Sequence, residues 1–347
     1  MESVAIMNRM SWKEHLEMYW QFFFEKGEKI PIEDLPQERV NLTQLFPKSN
    51  NGLRAAWLGH SSLLINIDGF SILTDPIFQR KISLVGPVRF NRELPLGVEE
   101  LETVDVVIVS HDHYDHLNKY SIQQLAPKTG LFIVPARVGE RLRKWGVPAE
   151  KIVELNWWQE HRLRDGLTIT ATPARHFSGR TPFDRNSTLW ASWVIQTESH
   201  KVFFSGDSGY FPGFREIGKK YGPFDVAFME CGAYNERWSN VHMFPEQTVQ
   251  AFQDLGGAIL QPVHWATFNL ALHTWYEPIE RLTAKAWASN VQLSAPMIGQ
   301  IVDYDKPLLT ELWWLSSMKQ SKMGQMRWEV AGVDNRNEPG RAIHYPK

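Results

Sequence analysis

The spacing of apolar positions predicts alternating strands and helices from about residue 55 onward. Short apolar runs indicate strands, and apolar residues that recur every three or four positions indicate helices. The pair Asp68-Gly69 indicates a hairpin. Strands are predicted at residues 55–58, 63–67, 70–74, 104–109, 131–134, 167–171, 189–196, 201–204, 226–229 and 258–261. Helices are predicted at residues 11–26, 137–145, 246–255 and 276–287, and from about residue 119. This alternation is typical of a layered α/β architecture.

Composition and charge narrow the functional classes. The net charge of -2 offers no basic excess of the kind that duplex binders usually carry, so no nucleic-acid partner is expected. No run of about 18 apolar residues occurs, and the N-terminus lacks the basic and apolar regions of a signal peptide. With Cys231 as the single cysteine, no intrachain disulfide can form. A cytoplasmic protein is therefore predicted, with peripheral membrane contact and homo-oligomerisation left open.

Fifteen tryptophans are unusually many for this chain. Packing within the core or between subunits is one interpretation, and an aromatic surface that meets lipid is the other. The helix predicted at residues 11–26 is expected to dock on the protein's own core rather than on a membrane.

One short segment dominates the candidate chemistry. Directly after the buried run 104–109, residues His111, His113, Asp115 and His116 form the pattern H-x-H-x-D-H. Imidazole and carboxylate are the ligands that zinc favours. In an extended or tight-turn segment, the first two histidines can face one metal ion while Asp115 and His116 face another. The sequence therefore predicts a dinuclear metal site at the end of this strand.

Three further candidates also follow apolar strands, at the carboxyl ends where ligands collect in open α/β sheets. These are His176, Asp207 and His264. His176 would join His111 and His113 at one zinc ion, and His264 would join Asp115 and His116 at the other. Asp207 would bridge the two ions. The ions would share a water that they acidify, and Asp115 is also expected to orient this water in catalysis. Manganese or iron is an alternative occupant.

At this point the sequence resembles the metallo-β-lactamase superfamily. Within it, the chain resembles the branch of N-acyl-phosphatidylethanolamine-hydrolysing phospholipase D and its bacterial relatives. The strings that carry this second resemblance include Trp57-Leu58-Gly59-His60-Ser61-Ser62, Pro173-Ala174-Arg175-His176-Phe177, Ser205-Gly206-Asp207-Ser208-Gly209-Tyr210, Cys231-Gly232-Ala233-Tyr234 and His264-Trp265-Ala266-Thr267-Phe268.

The resemblance implies a four-layer αββα sandwich and phosphodiester hydrolysis by a metal-bridging hydroxide. It also implies a catalytic role for His242, either in orienting a substrate phosphate or in protonating a leaving group. Asp75 is expected either to hydrogen-bond a ligand histidine or to cap the turn before Pro76. The implied organisation is an N-terminal helix and connecting segment at 1–50, a catalytic domain at 51–318 and a tail at 319–347.

Several functions remain open on the sequence alone, since a fold does not fix a function. The substrate is expected to be a phospholipid-like diester, and basic residues of the loop 79–100 would suit its phosphate: Arg80, Lys81, Arg89 and Arg92. The alternative is a lactonase or other ester hydrolase that acts on a soluble, sugar-phosphate-like molecule. A nuclease, a di-iron redox protein and a metal-stabilised scaffold are weaker hypotheses. Cys231 is expected to be a buried small residue rather than a ligand.

Overall fold

The computed structural model describes residues 28–318, apart from 50, 84–85, 164–165 and 309, together with residues 342–343. The strands are β1 (Leu53–Gly59), β2 (Ser62–Ile67), β3 (Phe70–Thr74), β4 (Val104–Ile108), β5 (Thr129–Pro135), β6 (Ile152–Leu155), β7 (Glu160–Arg162), β8 (Thr168–Thr172), β9 (Ser192–Gln196), β10 (Lys201–Phe204), β11 (Phe224–Glu230), β12 (Gly257–Val263), β13 (Gln292–Leu293), β14 (Ile301–Asp303), β15 (Thr310–Glu311) and β16 (Ala342–Ile343). The α-helices are α1 (Leu42–Leu45), α2 (Lys119–Leu125), α3 (Gly139–Lys144), α4 (Gly213–Tyr221), α5 (Pro245–Leu255), α6 (Glu277–Ala288) and α7 (Trp314–Met318).

Two seven-stranded sheets form the centre of the fold. Their strand orders are β14-β1-β2-β3-β4-β5-β6 and β13-β12-β11-β10-β9-β8-β7, and β15 pairs separately with β16. In the first sheet β3, β4 and β5 run parallel to one another, and in the second β10, β11 and β12 do so. The carboxyl ends of these parallel strands therefore lie along one edge of each sheet.

The core explains why the central strands read as continuous apolar runs. Alternate residues of the first sheet point to opposite sides: Trp57 and Ile65 belong to the core shared with the second sheet, whereas Leu58 and Leu64 belong to the cluster formed with α1, α2 and α3. Both faces are covered, so both sets of side chains leave water. Helices α4, α5 and α6 cover the outer side of the second sheet. The result is the four-layer αββα arrangement that the resemblance implies.

The predicted strands and helices of the described region are confirmed, with shifts of a few residues at their ends. Several elements were not predicted from the sequence: the helices α1, α4 and α7, the edge strands β6, β7, β13 and β14, and the small β15–β16 pair. Each of these strands has at most four residues, too few to show a hydrophobic period. Helix α4 begins at a glycine after a proline and buries only Phe214 and Ile217.

The helix predicted at 11–26 lies outside the described residues, as does most of the tail 319–347. The division at residues 50 and 318 therefore stays a prediction. Within the part that the structure describes, no helix combines the length and the apolar character that a membrane crossing needs.

The tryptophans pack mainly inside the protein. Among the described ones Trp57, Trp193 and Trp314 are almost fully buried, and only Trp287 is markedly exposed. Core packing therefore accounts for most of the described tryptophans.

Candidate active site

The strand order brings chemically active side chains to one edge of the two sheets. Asp75 follows β3, and the segment His111–His116 follows β4. In the second sheet His176 lies after β8, Asp207 after β10 and His264 after β12. Because these strands share a direction, residues far apart in the sequence meet at a single edge.

The first donor cluster consists of His111, His113 and His176. Nδ1 of His113 lies 2.9 Å from Nε2 of His111 and 3.3 Å from Nε2 of His176. The other ring nitrogens are held from behind: Nδ1 of His176 donates to the carbonyl oxygen of Val241 at 3.0 Å, and Nδ1 of His111 lies 2.9 Å from Oγ of Ser110. Three imidazole nitrogens thus converge on one point.

The second donor cluster consists of Asp115, His116 and His264. Oδ2 of Asp115 lies 3.4 Å from Nε2 of His116 and 3.6 Å from Nε2 of His264. Asp207 lies between the two clusters. Its Oδ2 is 3.1 Å from His116 Nε2, its Oδ1 is 3.2 Å from His264 Nε2, and its Oδ2 is 3.8 Å from Nε2 of both His111 and His176. All seven residues that the sequence predicted as ligands therefore come together, arranged as two groups around Asp207.

Unpaired polar atoms show that this donor set fits divalent cations. Nε2 of His116, Nε2 of His264 and Oδ1 of Asp207 are buried without a hydrogen-bond partner. Burial alone would lower the pKa of His264, yet Asp207 and Asp115 raise it to about 10. Burial opposes ionisation of Asp207 as well, but His116 and His264 hold its pKa well below the usual range. Buried polar atoms are normally paired, so these converging donors fit a group with concentrated positive charge.

Asp75 takes the first of the two roles expected for it. Its Oδ2 accepts hydrogen bonds from Nδ1 of His116 at 2.7 Å and from Oγ of Ser110 at 2.6 Å, and its Oδ1 accepts from the Ser110 N–H at 2.7 Å. Burial raises its pKa, while His116 and Ser110 favour the ionised form. Asp75 thereby orients His116 directly and His111 through the Ser110 hydroxyl.

His60 is a site residue to which the sequence analysis assigned no role. Its Nε2 lies 3.0 Å from Oδ2 of Asp115, and it is 1% exposed. Burial, followed by the neighbouring His264, lowers the pKa of His60 to about 3, so its neutral ring can donate to the Asp115 carboxylate. The turn Gly59-His60-Ser61 between β1 and β2 belongs to one of the strings that carry the family resemblance. Only the fold, however, places its histidine against Asp115.

His242 lies beside the clusters, on the segment before α5. Its Nε2 is 4.0 Å from Oδ2 of Asp207, and its Nδ1 is 2.7 Å from Oε2 of Glu230. Glu230 ends β11, is fully buried and was not singled out from the sequence. Burial raises the pKa of Glu230, an effect that His242 opposes.

The chain resembles known proteins over most of its length. The sequence model of the Beta-lactamase superfamily domain matches residues 71–265, which include all seven converging residues and end one residue after His264. The chain belongs to the metallo-β-lactamase superfamily.

Two curated relatives support this membership, and one solved structure shares the fold. An uncharacterized protein of Mycobacterium tuberculosis is 41% identical over 302 residues, 85% of this chain and 80% of that protein. The N-acyl-phosphatidylethanolamine-hydrolyzing phospholipase D 1 of Caenorhabditis elegans is 32% identical over 275 residues, 72% of this chain and 77% of that enzyme. An isothiocyanate hydrolase from Delia radicum gut bacteria superposes with a TM-score of 0.58 at 21% identity, covering 72% of this chain and 98% of that one. The last likeness establishes the fold alone. The protein is a metal-dependent hydrolase of the metallo-β-lactamase superfamily.

Five of the seven donor residues of this hydrolase line a cleft of about 240 Å³: His113, Asp115, His176, Asp207 and His264. Apolar side chains form its other walls: Phe177, Ala233, Trp238, Val241 and Leu270. No lysine or arginine is among the described residues that line it. Trp157 donates to the Trp190 carbonyl, Trp190 donates to the Ala174 carbonyl and Trp193 is fully buried. None of them lines this cleft.

The expectation that basic residues of the loop 79–100 suit a substrate phosphate is wrong for the described residues. Arg89 is 3% exposed and donates to the carbonyl oxygens of Leu58 and Ile77, at 2.9 and 3.1 Å. Burial lowers its pKa to about 10. Arg92 lies 3.7 Å from Asp34 at the surface, and Arg80 and Lys81 do not line the cleft. Arg89 therefore stabilises the local backbone through these hydrogen bonds and does not line the cleft.

Cys231 is fully buried, and burial raises the pKa of its thiol well above the usual range. Its sulfur belongs to neither donor cluster. The prediction of a buried small residue is confirmed.

Proposed function

We propose that this protein is a dinuclear zinc phosphodiesterase of the N-acyl-phosphatidylethanolamine phospholipase D type. The observation that carries the proposal is the pair of donor clusters, joined by Asp207, whose members line a cleft together with apolar side chains. The 32% identity to the Caenorhabditis elegans phospholipase supports the choice of reaction.

Each cluster would hold one ion. His111, His113 and His176 would hold the first, Asp115, His116 and His264 the second, and Asp207 would contribute one oxygen to each. When bound, such ions supply Lewis acidity, which polarises the reacting group and lowers the pKa of nearby water. Imidazole-rich donor sets suit zinc, although manganese or iron could bind the same atoms.

The chain's own residues would then position the reactants. Asp115 accepts from His60 through Oδ2, which fixes its carboxylate plane, and it lines the cleft where a water can approach. It would accept a hydrogen bond from that water and orient it for attack. His242 also lines the cleft and would contact the phosphate or the leaving oxygen. The apolar walls would exclude bulk water from the reacting bond.

The cleft lining favours a diester over a sugar phosphate. A phosphate monoester carries about 1.5 to 2 negative charges near neutral pH and usually meets arginine or lysine side chains. The described lining offers none, whereas a diester carries a single charge that two divalent ions would balance. Phe177, Trp238 and Leu270 offer an apolar surface to acyl chains.

The test uses zinc-loaded protein and vesicles of N-acyl-phosphatidylethanolamine, with products identified by mass spectrometry. We expect phosphatidic acid and N-acylethanolamine in equal amounts, and a chelator should stop their release. A parallel incubation with soluble lactones tests the alternative. Protein that carries two zinc ions, leaves the vesicles intact and opens a lactone would overturn the proposal.

A further inference from the structure

The buried carboxylate of Glu230 lies outside the two donor clusters that the proposed function assigns to zinc. It ends β11, is 0% exposed and meets no lysine or arginine within hydrogen-bonding distance among the described residues. Placing a carboxylate in such surroundings is costly unless its oxygens accept several hydrogen bonds. Its partners therefore indicate what it does.

Those partners hold the carboxylate in one orientation. Oε1 accepts from the Met243 N–H at 2.8 Å and from the Ser208 N–H at 3.3 Å. Oε2 lies 2.7 Å from Nδ1 of His242. Because both backbone N–H groups donate to Oε1, Oε2 remains free to accept a hydrogen bond from a protonated nitrogen. The two backbone partners also adjoin Asp207 and His242 in the sequence, so Glu230 ties together both segments that carry these side chains.

The same contact decides which nitrogen of His242 faces the cleft. A ring nitrogen that donates to a carboxylate must carry a proton, so Nδ1 is protonated and Nε2 points toward the cleft, 4.0 Å from Asp207 Oδ2. We propose that Glu230 is a positioning residue that holds His242 with Nδ1 protonated and presents its Nε2 to the substrate. The kinetic part of this inference rests on the proposed function, whereas the structural part does not.

Glutamine at position 230 keeps the size of the side chain but replaces one acceptor oxygen with an NH2 group that donates. Its single carbonyl oxygen must serve the two backbone N–H groups, because the reverse orientation would set an NH2 group against two donors. The NH2 group then faces Nδ1 of His242, which must become an acceptor. Glu230→Gln should therefore move the ring proton from Nδ1 to Nε2 without emptying the site.

The first test is the two-bond ¹H–¹⁵N correlation spectrum of the histidine rings, in metal-free and zinc-loaded protein. The His242 ring is assigned by its absence from the His242→Ala spectrum. We expect a protonated Nδ1 in the natural protein and an Nε2–H ring with unprotonated Nδ1 in Glu230→Gln. A natural protein with unprotonated Nδ1, or an unchanged pattern in the variant, would overturn the inference.

The second test is a double-mutant cycle on vesicle hydrolysis. Glu230→Gln should lower kcat by about 10- to 100-fold, as is usual when the orientation of a site residue is lost, with little change in KM. In a His242→Ala background, the same substitution should cause no further loss, since residues that act as a unit are non-additive. A further loss there would mean that Glu230 acts through Asp207 and would refute the proposal.

Thr248→Val is the matched control. Thr248 donates to the backbone carbonyl of Glu230 at 2.8 Å and does not touch the carboxylate. It should leave the His242 ring pattern and kcat nearly unchanged, and zinc content should stay constant in all variants. If the natural protein does not hydrolyse the vesicles, the proposed function fails, while the ring spectra still decide the role of Glu230.

Discussion

Asp75→Asn tests whether hydrogen bonds to Asp75 set the ring orientation of the histidines in the two donor clusters. Asp75 Oδ2 accepts from His116 Nδ1 at 2.7 Å and from Ser110 Oγ at 2.6 Å, and the same hydroxyl lies 2.9 Å from His111 Nδ1. A carboxylate only accepts, so the proton of the hydroxyl points to Asp75 and its lone pair faces His111. Both histidines are thereby set with Nδ1 protonated and with Nε2 free toward the clusters, one in each.

Asparagine would reverse this arrangement. Its oxygen can keep the 2.7 Å bond to the Ser110 N–H, but an NH2 group then replaces Oδ2. The protons of both rings would move to Nε2, which cannot bind a metal while protonated. Loss of such a partner typically weakens metal affinity by about 10- to 100-fold, or about 1.4 to 2.7 kcal/mol for each ion. Since one histidine of each cluster is affected, both ions should bind more weakly.

The assay is competition between the protein and a zinc chelator, with bound metal measured by mass spectrometry. Asp105→Asn is the control, because Asp105 Oδ2 accepts from the N–H and hydroxyl of Ser71 at 2.8 and 2.7 Å, on the same two strands at their other end. It should leave both zinc affinities unchanged. Unaltered affinity in Asp75→Asn, or an equal loss in Asp105→Asn, would refute the reasoning.

The remaining predictions concern the bridge, an ion-pair clamp and the core. Asp207→Ala should abolish hydrolysis and leave the circular dichroism spectrum unchanged; full turnover would contradict the two-metal arrangement. His200 lies 3.0 Å from both Asp68 and Asp305, and although burial opposes it, these carboxylates raise its pKa. The ion pairs of His200 therefore contribute fully to the free energy of unfolding below about pH 6.5, the pKa of an unfolded histidine. This contribution is lost as the pH rises through the raised pKa of the folded state. His200→Gln should therefore lower the unfolding free energy by about 1 kcal/mol at pH 5.5 and by less at pH 9 in urea titrations, and an equal effect at both would contradict this. Phe228 is fully buried, and Phe228→Ala should cost about 3 to 5 kcal/mol in the same titrations, whereas a loss below about 1 kcal/mol would show that the core refills the space.

Much of the candidate site could be predicted because its signals are local. Strand β4 reads as a buried apolar run, and the pattern from His111 to His116 follows it directly. His176, Asp207 and His264 each follow an apolar run in the same way. Strand direction then brings them together, since parallel strands have their carboxyl ends at a common edge. Local periodicity likewise predicted the long strands and helices, whose burial on both faces requires continuous apolar sequence.

The hydrogen-bond partners of the site residues could not be predicted, because they depend on the tertiary structure. The contacts of His60 with Asp115 and of Glu230 with His242 join positions 55 and 12 residues apart, and neither spacing carries a helix or strand signal. The basic loop shows the same limit, because Arg89 reads as a surface cation but is enclosed once Phe268 and two backbone carbonyls pack around it. The sequence by itself determined the fold class and the atoms available to a metal, because both follow from short-range pattern. Only the tertiary structure decided which nitrogen each histidine presents and what lines the cleft, because those depend on hydrogen-bond partners and packing supplied from distant strands.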